Sequence, residues 1–252
     1  MSETLVVRAA VAPMHAEARV SSPQVSQRLA GHAVTVVATD GDWLQICGED
    51  GYEGWMHRGY LEPASAGLTS GSRRLSLGAV VRDGQSGPTS VLPLGAWLRE
   101  GVHVLAGETV AAADRATMFP RAAASIAATA VGRFAGTPYQ WGGISPWGAD
   151  CSGLVQTTFW LHGVPVPRDA WQQAELGRDA GTEVERWEPA DLAFFSDRPD
   201  RRITHVGIAL GGARMVHLAL GRGGYAVERL AGTDDPYVSA LMERLVMARR
   251  LL

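Results

Sequence analysis

The chain has 252 residues, with 23 Lys and Arg against 26 Asp and Glu, for a formal net charge of −3. That balance excludes a non-specific binder of nucleic acid or another polyanion, which needs clustered excess cations. With 46% apolar and 19% charged residues the chain is not of the disordered class. No uninterrupted apolar run reaches the roughly 18 residues of a membrane span, and only Leu5, Val6 and Val7 separate Glu3 from Arg8, so neither a span nor a secretory signal is expected. The two cysteines, Cys47 and Cys151, allow one bridge at most and have no paired spacing, which excludes a disulfide scaffold and a zinc finger.

Residues 1–64 read as short strands with turns. Residues 34–38 are β-branched and bounded by Gly31 and by a turn at 39–42. Residues 43–47 alternate, and another strand begins at Gly51 and runs to Met56. Strands this closely spaced predict a small barrel. Residues 64–72 have linker composition. Residues 65–118 repeat the style more weakly, with strands at 75–81, at 91–95 leading into a turn, and at 102–105, and predict a second small β module. From Pro120 the texture changes. A helix is expected over 121–134, with Ile126, Ala130, Val131 and Phe134 at helical spacing and Gly136 at its end. A second is expected over 152–161, stopped by Gly163 and Pro165. Strands follow Asp191, at 192–195, 203–210 and 214–220. Helices followed by a strand meander predict an α+β domain over 119–252.

Within that domain the sequence places a cysteine at the first turn of a helix. A helix start carries about half a positive charge and free N–H donors. It favours thiolate over thiol and can hold an oxyanion formed beside the sulfur. A free cysteine is more often a small buried hydrophobe, but Asp150, Ser152 and Gly153 around Cys151 are not a core-strand context. Asp150 also suits a plain helix cap.

A nucleophilic thiol needs a base, and His205 and His217 are the candidates among seven histidines. Alternation puts Thr204, Val206, Ile208 and Leu210 on a core face, and His205, Gly207 and Ala209 on the other, where a helix end carrying Cys151 has room to pack. Residues paired across a hairpin share a face. A two-residue turn at Gly211–Gly212 would separate the histidines, whereas a three-residue loop or a bulge sets His205 opposite His217. His217 could then accept or donate at the far nitrogen of His205 and fix its tautomer.

The segments Tyr139-Gln140-Trp141-Gly142-Gly143, Asp150-Cys151-Ser152-Gly153-Leu154, Pro189-Ala190-Asp191-Leu192-Ala193-Phe194-Phe195 and His205-Val206-Gly207-Ile208, with the later His217, resemble the NlpC/P60 cysteine peptidases. The resemblance covers about residues 119–252. Residues 1–64 resemble bacterial SH3-type (SH3b) modules, and 65–118 do so more weakly. Two such modules before this peptidase resemble the γ-D-glutamyl-L-diamino acid endopeptidases, also called dipeptidyl-peptidase VI. The resemblance implies a papain-like α+β catalytic domain behind two SH3-like β-barrels. It makes Cys151 the nucleophile, His205 the base and His217 the orienting third residue, with Tyr139 beside the oxyanion site. Arg168-Asp169 resembles the family's Arg-Asp pair, whose carboxylate holds the substrate amine. Asp150 and Ser152 are expected to line the same subsite, closed by an aromatic hydroxyl of the first module, Tyr52 ahead of Tyr60. Ala170 stands where relatives often carry Ser, so one hydroxyl contact is missing, and Ala190 replaces a common Gly.

These relatives cut murein tri- or tetrapeptides after L-Ala-γ-D-Glu and require a free N-terminal L-Ala. The same is expected here, in cytoplasmic murein recycling, by a monomer with no cofactor, no metal, and no nucleic-acid or membrane partner. The alternatives are an exported wall hydrolase targeted by its SH3b modules, and a wall-binding protein whose third domain is secondary. The sequence leaves open whether diaminopimelate or Lys follows γ-D-Glu.

Overall fold

The computed structural model describes residues 3–64, 73–99 and 101–252, so all of the expected linker but Ala64 lies outside the described residues. The chain divides into two compact units, Met1–Met118 and Phe119–Leu252.

The first unit begins with β1 (Thr4–Val7), β2 (Val11–His15), β3 (Gln24–Leu29), β4 (Ala33–Asp40), β5 (Trp43–Gly48), β6 (Glu53–His57) and β7 (Leu61–Pro63). They form an antiparallel sheet in the order β3-β2-β6-β5-β4-β1-β7. Inward residues of these strands, among them Val7, Ala12, Met14, Val34, Ile46 and Met56, meet in one core. This is period-2 patterning with one face buried. The expected second module is a smaller sheet of β8 (Arg74–Asp83), β9 (Thr89–Leu92), β10 (Trp97–Leu98) and β11 (Val102–Ala111), and it closes with the short helix α1 (Arg115–Met118). β8 and β11 are longer than their apolar runs because they pair with each other nearly end to end, through two bulges.

The second unit starts with α2 (Ala123–Phe134), then the small ribbon β12 (Ile144–Ser145) and β13 (Gly148–Ala149). α3 (Cys151–Leu161) follows, with every residue except Trp160 buried. A helix buried on all sides has neighbours on all sides, and α3 packs against α2 and against two strands of the main sheet. After α4 (Ala170–Gln173) come β14 (Arg178–Asp179), β15 (Leu192–Phe195), β16 (His205–Gly211), β17 (Arg214–Ala219), β18 (Gly224–Arg229), α5 (Pro236–Glu243) and β19 (Leu245–Arg250). The sheet order is β14-β19-β15-β16-β17-β18.

The β16–β17 hairpin differs from expectation in an informative way. Its turn residues are Gly212 and Ala213, both at positive φ, as a two-residue hairpin turn requires. Gly211 pairs with Arg214, but Ala209 pairs with Met215 and Ile208 with Val216, so one extra residue is inserted between. The bulge restores the parity that the turn alone would break. His217 continues the register opposite Gly207 rather than opposite His205, which leaves the two histidines diagonal on one face. That face is not empty. Ala209 and Met215 pack with Trp187, Phe195, Leu230, Val238 and Leu241, where the sequence leaves room for the end of the Cys151 helix.

The start of α3 is held at equally close range. A Cβ on Gly153 would lie 2.0 Å from the backbone oxygen of Gly143 and 3.1 Å from an Asp150 carboxylate oxygen. Backbone and a buried charge cannot yield as a flexible side-chain end would. Gly153→Ala is therefore expected to cost about 1–3 kcal/mol of stability in urea denaturation, and to lower turnover more than the stability loss explains.

Candidate active site

Asp150 has extended backbone and caps α3, with Gly153 N–H donating to its Oδ1 at 2.7 Å. Its other oxygen receives Gly142 N–H at 2.8 Å, which ties the Gly142-Gly143 loop to the helix start. Gly142 has φ +75°, a conformation glycine adopts without strain. Arg168 donates to both carboxylate oxygens, at 3.0 and 2.6 Å, and to Ser152 Oγ at 2.7 Å. Ser152 Oγ in turn donates to Asp150 at 3.1 Å. The cluster is closed, with Asp150 at 5%, Ser152 at 6% and Arg168 at 2% exposure.

Asp150 is the helix cap that the sequence also suits, and it receives five donors on its two oxygens. Ser152 and Arg168 hold that carboxylate in place. Asp169 is the half-buried N-cap of α4, where Gln172 reaches back to its backbone N–H. Tyr52 belongs to the first unit, where its ring packs partly against the barrel core.

Cys151 is the first residue of α3 and is buried. Backbone hydrogen bonds from Val206, at the start of β16, and from Ser152 favour its ionised form. Burial, reinforced by the Asp150 carboxylate, pushes the thiol up to about 12 against these hydrogen bonds and Arg168. Desolvation opposes the preference of a helix start for a thiolate. Burial likewise, with His217 beside it, pulls His205 down to about 3. Burial thus makes each group costly to charge alone. Tyr139 bridges to Ala149, just before the cap. Burial, Cys151 and Asp150 hold its hydroxyl protonated well above the usual range.

His205 Nε2 and His217 Nδ1 are 2.9 Å apart. His205 also lies against Phe195, its partner on β15. Beyond His217 the structure adds residues the sequence reading missed. His217 Nε2 is 3.3 Å from Glu228 Oε1 on β18. Arg222 donates to both Glu228 oxygens, at 2.7 and 3.0 Å, and to Asp235 at 2.5 Å. Hydrogen bonds from His217 and Arg222, against the cost of burial, hold the Glu228 carboxyl down at about 2. The available signal was an acidic side chain in the short alternating run Tyr225-Ala226-Val227-Glu228, which was not read as a strand.

The arrangement supplies a thiol with backbone donors at a helix start and a neutral imidazole oriented from behind. That suits acyl transfer through a covalent thioester. The NlpC/P60 family matches residues 136–242, and the bacterial SH3 domain matches residues 10–62. A γ-D-glutamyl-L-lysine dipeptidyl-peptidase of Bacillus subtilis (strain 168) is 31% identical over 238 residues, covering 86% of this chain and 78% of that protein. A protein of the same name from Bacillus cereus is 28% identical, covering 76% of this chain and 66% of its own length. The crystal structure of an NlpC/P60 family protein from Bacillus cereus has the same fold, with a TM-score of 0.79 at 21% identity over 99% of both chains.

Two outcomes are expected of this geometry. Arg168→Met strands a buried carboxylate and should cost about 3–5 kcal/mol; Arg168→Met combined with Asp150→Asn should recover part of it in the same denaturation assay. His205 stays unprotonated in mild acid, so the acid limb of kcat/KM should fall below pH 6.5, the ordinary histidine value; a limb at or above it contradicts the lowered base.

Proposed function

This chain belongs to the NlpC/P60 family and is a cysteine peptidase, and we propose that it cuts the γ-D-Glu–diamino acid bond of murein peptides with a free N-terminal L-Ala, releasing L-Ala-γ-D-Glu. Its catalytic domain is α+β and is preceded by an SH3-like domain. The observation that supports the reading is Cys151 at the first position of α3, in one domain with the pair His205 and His217, whose ring nitrogens are 2.9 Å apart.

In this reading His205 takes the thiol proton as Sγ attacks the carbonyl carbon of the γ-linked amide. Donors at the start of α3, with Tyr139 alongside, hold the oxyanion. His205 returns the proton to the departing amine of the diamino acid, and water then cleaves the thioester. Two relatives carry L-lysine in their names, so we place L-Lys at that position. The substrate ammonium needs an anionic partner, because an unpaired charge out of water costs several kcal/mol. Asp169 is our choice.

A free L-Ala amine exists only on peptides already released from the glycan, which suits recycling in the cytoplasm by a monomer rather than attack on intact wall. Among the described residues no helix is long and apolar enough to cross a membrane.

The test is kcat/KM on L-Ala-γ-D-Glu-L-Lys and on its N-acetylated form. Acetylation removes the charge and adds bulk, and should cost at least ~10²-fold. Cys151→Ala should abolish turnover of both peptides while circular dichroism stays unchanged. Equal rates on free and acetylated peptides would replace the gated reading with a general wall hydrolase.

A further inference from the structure

The histidine pair continues one step further than a thiol peptidase needs for attack. Glu228, on β18, is 7% exposed at its side chain and is gripped by Arg222 through two hydrogen bonds. Arg222 is itself placed from three sides: by Glu228, by Asp235 at the cap of α5, and by the Tyr237 ring 4.2 Å beneath its guanidinium. The titratable and charged groups facing His217 are His205 from β16, Glu228 from β18 and Tyr237 from α5, whose ring centroid is 6.2 Å away, with Arg222 and Asp235 behind Glu228.

With one proton on each imidazole, the donor and acceptor inventory permits one arrangement. An ionised carboxylate only accepts. The His217 nitrogen that faces Glu228 at 3.3 Å must therefore carry a proton and donate it. Neutral His217 then has a bare Nδ1. The nitrogen facing it at 2.9 Å, His205 Nε2, must in turn donate. His205 is left with Nδ1 bare, the state a base needs. The opposite order of protons would set two bare acceptors face to face in a buried site, which forfeits a hydrogen bond where water cannot replace it.

We propose that Glu228 is a positioning residue of this peptidase, locking His217 as the Nε2–H tautomer and so keeping Nδ1 of His205 free to take the proton of Cys151. The inference rests on the reading of Cys151 and His205 as the reacting pair. Glu228 touches neither substrate nor thiol. It acts through His217, and its charge also favours the imidazolium that His205 becomes during attack.

The test uses the full chain in two measurements. Nitrogen-15 spectra of the imidazoles, assigned with His205→Gln and His217→Gln, should show His217 protonated at Nε2 and His205 bare at Nδ1. Glu228→Gln nearly keeps the shape but loses the charge and one acceptor. It should mix the His217 tautomers and lower kcat about 10- to 100-fold, with KM within about twofold, on L-Ala-γ-D-Glu-L-Lys. Wild-type His217 protonated at Nδ1, or Glu228→Gln with wild-type kcat, overturns the proposal. So does a loss of activity that only follows loss of folded protein while the tautomer stays fixed. The spectra need no turnover, so a wild type inactive on every murein peptide defeats the functional reading and still leaves the tautomer to decide this one.

Discussion

The ion pair between Arg168 and Asp150 is the constraint on which the catalytic unit is organised. One carboxylate caps α3, fastens the Gly142-Gly143 loop and receives the guanidinium and a serine hydroxyl. Apolar side chains of similar volume could fill that space with less desolvation. They could not fix a helix start, a loop and the segment between α3 and α4 to one point with directional bonds. The pair is better understood as setting where Cys151 stands than as a source of stability.

Two polar networks approach the thiol from opposite ends of the chain order. The Asp150 cluster comes from the helix and fixes the sulfur's position. The His205–His217–Glu228 chain comes from the sheet, where a backbone hydrogen bond from Val206 favours the ionised sulfur. The Asp150 cluster and the His217–Glu228 step are buried, which raises the cost of charging a group beside them alone. The solvent-facing end of the second network, at Arg222 and Asp235, is also where its charges are anchored.

The sequence was most legible where local chemistry is strongest. Cys151 between Asp150 and Gly153 could be read from local sequence, and His205 and His217 could be singled out, with their shared face conditional on a bulge or a longer loop. The exact register of the hairpin could not, because a bulge is a choice the chain makes from packing on both faces: Ala209 and Met215 are as buried as Ile208 and Val216. α2 starts at Ala123 rather than next to Pro120, since the residues between form a turn. β18 and β19 went unread because Gly221, Gly223 and Gly224 obscure the first and the second is bounded and interrupted by arginines. β19 pairs with β15, more than fifty residues earlier, a partnership no local pattern contains. The fate of Arg168 was hidden for a related reason. Its partner lies 18 positions upstream, and a family pattern of Arg followed by Asp says which residues matter without saying which of them is already occupied.

The bulge in the β16–β17 hairpin makes the active site sensitive to chain length as well as to side-chain identity. Sheet faces alternate, so one residue fewer between Ala209 and Gly211 would carry every later side chain of that hairpin to the other face. His217 would leave His205, although neither histidine had been altered. The turn is thus constrained in length as well as in residue type, since Gly212 and Ala213 hold positive φ and Ala213 is buried. Insertions are usually tolerated best at surface turns; this one is an exception, because the turn sets the phase of the strands that carry the chemistry.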